Sequence, residues 1–429
     1  MFGRALASVL VLSTAFTSLS FAAPLSDASN RVGLKLMREA IQQQLKEKGA
    51  PNNLMISGLS EFSALSMLSA GLQGKTSQEL NTYIQRAENS ASFDSEVGQY
   101  LTSLEKTPKP PRWRGERPTP TLGIYNSAWA TDGKTTGRPY AYSPSYEGVL
   151  KNAYRAEVAR ADFTTQAATD LVNKWAETKT RGLIPSIIDR STLSDLVWVL
   201  MNATYFEGAW ESDFFVLPKE LAPEFNLLNG DTAKVEMIRT EGIMTYVANS
   251  KFEAVEVPFQ GGDVVFWVVL PRTPHVYANM QKLGWAYETD LWYKLMSEAQ
   301  KRDQKPKVRL TLPKFSFDTT VELKKDEDLT QAVGLNFLFS DELTRERDFS
   351  PMGTPESPLT RVGLIKQSTK IELDENGVKA AAVTLIGGVE RTSLPRQPDA
   401  NVVVDRPFVF AIVDRKTSTL LFVGNVVNP

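Results

Sequence analysis

This chain has few residues that could act as a catalytic nucleophile or as a metal ligand. The 429 residues include no cysteine, which excludes a thiolate nucleophile and a cysteine-bound metal. The only histidine is His275, in the proline-flanked sequence Pro-Arg-Thr-Pro-His, where a surface role is more common than a catalytic one. A hydrolase with a histidine-activated nucleophile is therefore disfavoured. The sequence predicts no catalytic residue, no metal site and no cofactor.

A different chemistry is offered by the segment 375–395, Glu-Asn-Gly-Val-Lys-Ala-Ala-Ala-Val-Thr-Leu-Ile-Gly-Gly-Val-Glu-Arg-Thr-Ser-Leu-Pro. Its one arginine, Arg391, carries a guanidinium that is always charged and can bind a carboxylate through two parallel hydrogen bonds. The alanines before it favour a helix by intrinsic propensity. A strand is the alternative, because small uncharged residues would then share one face. The residues themselves leave both structures open.

The elements that must position this segment follow from hydrophobic periodicity. The composition, 42% hydrophobic and 23% charged, is that of an ordered globular protein, and a net charge of −2 gives no reason to expect nucleic acid. Helices are predicted mainly in the first half and strands mainly in the second, so the fold class is α+β with much antiparallel sheet. Helices are expected at 26–49, around 62–72 and at 168–179, and strands at 54–56, 122–129, 197–206, 264–270, 308–312, 371–373, 409–413 and 420–423.

The first residues are typical of an export signal. Arg4 precedes an apolar run, and Ser20-Phe21-Ala22 provides a small-residue cleavage site. We therefore expect residues 1–22 to be a signal peptide and residues 23–429 to form a single domain. The mature protein is predicted to be exported, either secreted or periplasmic, with no membrane span and no disulfide.

A proline-rich stretch at 106–120 carries five basic residues around Trp113. One interpretation is a weak contact with a polyanion through Lys109, Arg112 and Arg114. The alternative is a solvated, polyproline-like surface loop. The sequence does not decide between them.

Several blocks together resemble the serpin family. Asn-Ala-Thr-Tyr-Phe-Glu-Gly-Ala-Trp at 202–210 is similar to the family's Asn-Ala-x-Tyr-Phe-x-Gly-x-Trp block, and 405–410 and 422–429 are similar to its C-terminal signature. The resemblance extends over essentially the whole mature chain. Shorter matches lie in the expected order at 173–175, 180–182 and 312–315.

The resemblance implies about nine helices around three mostly antiparallel sheets, with an exposed reactive loop at about 375–400. In inhibitory serpins a protease cuts this loop, which then inserts into the large sheet as an extra strand and carries the acylated protease with it. The family's register, counted from Gly377, places the reactive bond between Arg391 and Thr392; Arg396 is the alternative if the loop is longer. The matching hinge residues are Glu375, Gly377, Val378, Ala380, Ala381, Ala382, Val383 and Thr384.

Strand geometry tests whether this hinge could enter a sheet. Val378, Ala380, Ala382 and Thr384 would share the inward face, and the single charge, on Lys379, would lie opposite. Ordering a residue costs about 1–2 kcal/mol, whereas a ladder hydrogen bond returns about 0.5–1.5 kcal/mol. The ordering cost and the ladder hydrogen bonds roughly cancel, so burial and the release of an over-exposed initial state must drive insertion.

Two further groups are carried over from the family by position. Ser57, Ser60, Asn202 and Gln367 resemble the shutter, the polar cluster beneath the strands that open, with Gln367 where most members have histidine. Trp210 resembles the breach, where the loop begins to insert, and Glu375 lies beside it. Ordinary buried polar and aromatic roles are the alternative for all of these residues.

The sequence therefore predicts a serine protease inhibitor that acts as a suicide substrate for trypsin-like enzymes, as a monomer. Cysteine proteases of the papain type that accept arginine are a second class of target. A non-inhibitory serpin acting as a carrier is the alternative function, which the small hinge residues disfavour. The natural target is not specified by the sequence.

Overall fold

The structure is a computed structural model. It describes residues 5–87, 92–111, 116–135, 137, 139–273, 283–301, 305–325, 327–339, 348–354, 362–378 and 397–429, with side chains from residue 23 onward. These residues form nine α-helices. They are α1 (Ala5–Lys48), α2 (Gly58–Ala70), α3 (Gly74–Tyr83), α4 (Phe93–Leu104), α5 (Pro144–Asn152), α6 (Gln166–Lys179), α7 (Arg190–Ser194), α8 (Thr289–Gln300) and α9 (Asp328–Val333), with 3-10 turns at Gly284–Tyr287 and Asn336–Leu338.

Twenty strands complete the described secondary structure. They are β1 (Leu54–Ile56), β2 (Thr121–Thr131), β3 (Ala141–Tyr142), β4 (Glu157–Ala161), β5 (Trp198–Ala209), β6 (Phe215–Val216), β7 (Phe225–Asn226), β8 (Thr232–Ala233), β9 (Met237–Ile243), β10 (Thr245–Ala248), β11 (Phe252–Pro258), β12 (Val264–Pro271), β13 (Lys307–Pro313), β14 (Phe315–Leu323), β15 (Gly353–Thr354), β16 (Ile365–Asp374), β17 (Gly377–Val378), β18 (Ala400–Val403), β19 (Phe408–Asp414) and β20 (Thr419–Val426).

Three sheets hold most of these strands. Sheet 1 has the order β14-β16-β17-β5-β2-β4, sheet 2 the order β1-β20-β19-β12-β11-β10, and sheet 3 the order β18-β13-β9-β6. All pairs are antiparallel except β2 with β4 and β13 with β18. Two short ladders, β15 with β3 and β7 with β8, complete the pairing. The predicted α+β fold, with about nine helices and three mostly antiparallel sheets, is confirmed.

The core lies between sheets 1 and 2, and α2 runs through it. Helix α2 contacts β5 of sheet 1 and β20 of sheet 2, and most of its residues are buried. Its side chains are mostly apolar or small, so the helix can be enclosed on nearly every side. Strand β12 is buried along its whole length, as its continuous apolar run at 264–270 predicts, and β19 beside it is equally buried. On its other face sheet 1 is covered by α6, whose Trp175 belongs to the same buried cluster as Trp129 and Met201.

The long first helix includes part of the predicted signal segment. Helix α1 begins at Ala5, continues past Pro24 and ends at Lys48, and Gly49 follows with a φ of 72°. Glycine adopts this left-handed conformation without strain, so the helix end predicted at Gly49 is confirmed. Removal of residues 1–22 stays a prediction. Within the described residues, no helix combines the length and apolarity that crossing a membrane requires.

Candidate functional site

The start of the predicted hinge, Gly377 and Val378, forms strand β17 inside sheet 1. Gly377 is opposite Ala209 of β5, and Val378 is opposite both Gly208 of β5 and Leu373 of β16. In the described part of the chain, β17 is the only link between β5 and β16. The two-residue strand therefore marks one end of a gap between these long strands. Val378 is 4% exposed, so its side chain faces the core.

A tight turn returns the chain from β16 to β17. The Asp374 carboxylate accepts hydrogen bonds from the backbone N–H groups of Asn376, at 2.7 Å, and of Gly377, at 3.2 Å. Gly377 has a φ of 148°, and a Cβ atom added to it would lie 2.0 Å from the carbonyl oxygen of Gly208. Only glycine fits here, because both the backbone conformation and the neighbouring strand exclude a side chain.

Trp210 follows β5 and holds this turn. Its indole Nε1–H donates to the Asp374 carbonyl at 2.9 Å, and its backbone N–H donates to the Asn376 carbonyl at 3.0 Å. The ring is fully buried and stacked on Phe259, with centroids 4.7 Å apart. The structure therefore brings Trp210 and the start of the hinge together, as the resemblance implies.

Glu375, at the tip of the turn, is held by an ion pair. The Lys314 ammonium lies 2.7 Å from its carboxylate and 3.3 Å from that of Glu236. Partial burial opposes ionisation of Glu375, but the hydrogen bond from Lys314 prevails and holds its pKa below the ordinary value. The turn thus carries a fixed negative charge at neutral pH.

The proline-rich stretch is linked to the same place. The Arg117 guanidinium donates to the Trp210 carbonyl at 2.9 Å and to the Asp213 carboxylate at 2.6 Å. Lys106 forms an ion pair at 2.7 Å with the buried Asp414. Two of the five basic residues of this stretch therefore have internal partners. Lys109 is exposed, so the polyanion contact stays a prediction.

The predicted shutter residues lie on two sides of the gap. On the β16 side, Gln367 accepts a hydrogen bond from the Ser57 N–H and donates one to the Ser57 carbonyl, both at 2.8 Å. Ser57 is also the N-cap of α2, where its hydroxyl accepts from the Ser60 N–H at 3.2 Å. The structure therefore brings Ser57, Ser60 and Gln367 together.

Asn202 lies on the β5 side and has different partners. Its amide donates to Oδ1 of Asn126 at 2.8 Å, and the same oxygen accepts from the Ser63 hydroxyl at 3.1 Å. Asn126 in turn donates to the Tyr154 carbonyl at 2.9 Å. Asn126 thus joins β2, β5 and α2, and sequence reasoning missed it. The available signal was a single amide within the apolar strand 122–129.

A cavity of about 960 Å³ occupies the space between the two strands. Residues 198–202 of β5 and 365–367 of β16 form two of its walls, and α2 contributes residues including Ser60 and Leu65. The part of the gap between residues 198–202 and 365–367 is therefore open space of a size that could receive further chain or a ligand.

Several predicted residues lie outside the described part of the chain. They are Ala380, Ala381, Ala382, Val383 and Thr384 of the hinge, Arg391 and Thr392 of the reactive bond, Arg396, Arg112 and Arg114 of the basic stretch, and His275.

Comparison with known proteins gives a single family. A family model described as serpin (serine protease inhibitor) matches residues 27–429. Among curated relatives, Iripin-2 of Ixodes ricinus is 29% identical over 411 residues, which cover 94% of this chain and 93% of that protein. Leukocyte elastase inhibitor A of Mus musculus is 28% identical, with 94% and 99% covered.

Solved structures agree on the fold. The native-state crystal structure of tengpin, a thermophilic serpin, has a TM-score of 0.73 to this chain at 22% identity. The match covers 96% of this chain and 94% of the tengpin chain. At this identity the likeness concerns architecture alone.

Proposed function

The chain belongs to the serpin family, and we propose that it inhibits trypsin-like serine proteases as a substrate that is used once. Serpins are generally protease inhibitors and not enzymes. In this proposal the protein is exported after loss of residues 1–22 and meets its target as a monomer. The target cleaves the bond between Arg391 and Thr392, for which an arginine before the cut is the suitable residue.

The observation that carries the proposal is the position of Gly377 and Val378 between β5 and β16. A strand that continued in the same register would bring Thr384 opposite Asn202 on one side and Gln367 on the other. Each further even-numbered residue would face the core with Val378. These inward residues include Ala380 and Ala382, which are small enough to enter a packed interior.

The described strands provide the partners that such a strand needs. Residues 198–208 of β5 and 365–373 of β16 flank the gap, and β17 is their only link in the described part of the chain. An inserted strand would fill both sets of backbone hydrogen bonds and bury its inward face over α2. Each ladder bond contributes about 0.5–1.5 kcal/mol against an ordering cost of about 1–2 kcal/mol per residue, so burial of the inward face, at about 0.8 kcal/mol per methylene, must supply much of the free energy of insertion.

The chemical step belongs to the protease. Its serine attacks the Arg391 carbonyl, the peptide bond to Thr392 breaks, and the Thr392 amine leaves with the C-terminal peptide. The serine is then esterified to Arg391, and water would complete hydrolysis. Val378 already lies in the sheet, so insertion of the thirteen residues 379–391, about 43 Å of strand at about 3.3 Å per residue, moves the protease before that water reacts.

The test is a denaturing gel of the protein mixed with trypsin, with mass spectrometry of the released peptide. We expect a covalent complex and a peptide that begins at Thr392. Arg391→Glu should remove the complex, whereas Arg396→Glu should retain it. A peptide that begins after Arg396 would move the reactive bond. Cleavage without a complex, and without a rise in thermal stability, would support a non-inhibitory carrier instead.

A further inference from the structure

Helix α2 buries a carboxyl group that the proposed inhibition does not use. Glu61, in the first turn of α2, is 4% exposed, and its Oε1 atom has no hydrogen-bond partner among the residues that the structure describes. Burying a carboxyl without a partner costs several kcal/mol unless the group is neutral or paired. An apolar residue at this position would avoid that cost, so the glutamate requires an explanation.

Glu61 lies on the wall of the cavity between β5 and β16. Most of that wall is apolar, with Leu65 and Leu68 from α2 and Leu200 from β5. Two other wall residues, Tyr140 and Trp198, have a buried hydroxyl and a buried indole N–H without partners in the described part of the chain. The cavity therefore has a mostly apolar body of about 960 Å³ and wall residues whose buried polar groups are unsatisfied. An apolar body with a few polar groups is the usual composition of a small-molecule site.

Within the described residues, Glu61 has no cationic partner. Burial alone raises the pKa of Glu61 to about 7, with no positively charged neighbour to oppose it. The two lysines of the cavity wall, Lys324 and Lys366, both form ion pairs with Glu322. The one described group that responds to the charge of Glu61 is Tyr83, whose own pKa is raised by burial and then by that charge. No cation of the described residues therefore serves Glu61 as a counter-ion.

We propose that this cavity binds a small organic cation with an apolar body, whose ammonium group pairs with Glu61 while the body fills the space between β5 and β16. Charge complementarity selects the cation, and the apolar wall selects an aryl or alkyl body. The consequence for inhibition rests on the proposed function, because a ligand in the gap would compete with loop insertion.

Binding is tested without any protease, by calorimetric titration of the full chain with phenethylamine at pH 8. We expect saturable binding that weakens about tenfold or more in Glu61→Gln, since a charged hydrogen bond in a buried site contributes about 1.5–3 kcal/mol. Phenethyl alcohol, which has the same body and no charge, should bind the two proteins equally. Glu61→Gln preserves volume and removes a buried acid, so it should fold.

Asp195→Asn is the matched control, because Asp195 is an exposed carboxylate on the same cavity wall. Its affinity for phenethylamine should stay within twofold of the parent. Equal affinity of the parent and Glu61→Gln, loss of binding in Asp195→Asn, or no saturable binding would each overturn the proposal.

If the amine binds as expected but leaves trypsin trapping unchanged, the site stands and its competition with the loop is refuted. If no trypsin complex forms even without amine, inhibition fails while the binding result stands.

Discussion

Gln367 of β16 and Ser57, the N-cap of α2, are joined by two hydrogen bonds of 2.8 Å between the glutamine amide and both backbone groups of the serine. The side chain thus pairs with the backbone as a neighbouring strand would. This contact fixes the edge of the gap to the helix that runs beneath it. Any movement of β16 away from β5 must either carry α2 along or break the pair.

Gln367→Leu should destabilise the protein by about 2–3 kcal/mol. The Ser57 carbonyl would keep its bond from the Glu61 N–H, but the Ser57 N–H would be buried without an acceptor. Urea unfolding measures the change. Ser368→Ala, on the opposite face of the same strand, is the control and should cost less than about 1 kcal/mol. Equal losses in the two variants would show that the amide pair contributes nothing specific.

Under the proposed function, Gly377→Ala should make the protein behave more as a substrate of trypsin than as its inhibitor. The added Cβ would meet the Gly208 carbonyl at 2.0 Å, and a positive φ strains an alanine by about 1–3 kcal/mol. We expect more protein to be consumed per molecule of trypsin trapped, measured as the stoichiometry of inhibition. Gly148→Ala, in α5 where no backbone or side chain crowds the site, should leave the stoichiometry unchanged. A Gly377→Ala protein that traps trypsin one to one would contradict the geometry of the turn.

Arg117→Ala should destabilise the protein by about 1–2 kcal/mol because the Trp210 carbonyl loses a charged donor. Asp213→Ala should cost less than about 0.5 kcal/mol, since the Asp213 side chain is 92% exposed and its ion pair is screened by water. Thermal unfolding of the single and double variants separates the two contacts. A larger effect from Asp213 would place the role of Arg117 at the surface and not at Trp210.

The raised pKa of Glu61 makes stability depend on pH. Burial raises the folded-state pKa to about 7 from an ordinary 4.5, so between these values the unfolded chain loses a proton that the folded chain keeps. Stability should therefore fall from about pH 4.5 to pH 7, by about 3 kcal/mol relative to Glu61→Gln. Urea unfolding across this range measures the difference. The exposed Glu220→Gln should follow the parent curve, and parallel curves for Glu61→Gln would mean that Glu61 is already ionised.

Much of the architecture could be predicted from the sequence, because long strands with a strong hydrophobic pattern can be recognised there. The strands predicted at 197–206 and 371–373 appear as β5 and β16, each longer than its apolar run. The helix predicted around 62–72 ends at Ala70, two residues before the apolar Leu72. Periodicity identifies the buried face but does not locate the end of a helix.

The partnerships within the site were less accessible. Asn126 joins three elements that are far apart in the sequence, and the presence of one amide in a strand does not indicate which residues it will bind. Glu61 was not singled out in the sequence, and only the packing of α2 shows that it is buried. The register of β17 depends on the turn that contains Gly377. The glycine was predicted from the sequence, but the contacts of the turn with Gly208 and Trp210 are seen only once the sheet is formed.

Ala382→Asp should abolish trapping while leaving cleavage intact. In the register set by Gly377 and Ala209, residue 382 would face the core between Thr204 and Thr369. An unpaired carboxylate there costs several kcal/mol, which would halt insertion while the ester to the protease hydrolyses. Ala381→Asp is the matched control, because residue 381 would face outward beside Lys370 and tolerate the charge. A denaturing gel with trypsin should show cleaved protein in both variants and a covalent complex only in Ala381→Asp. A stable complex in Ala382→Asp would mean that the loop does not enter sheet 1 in this register.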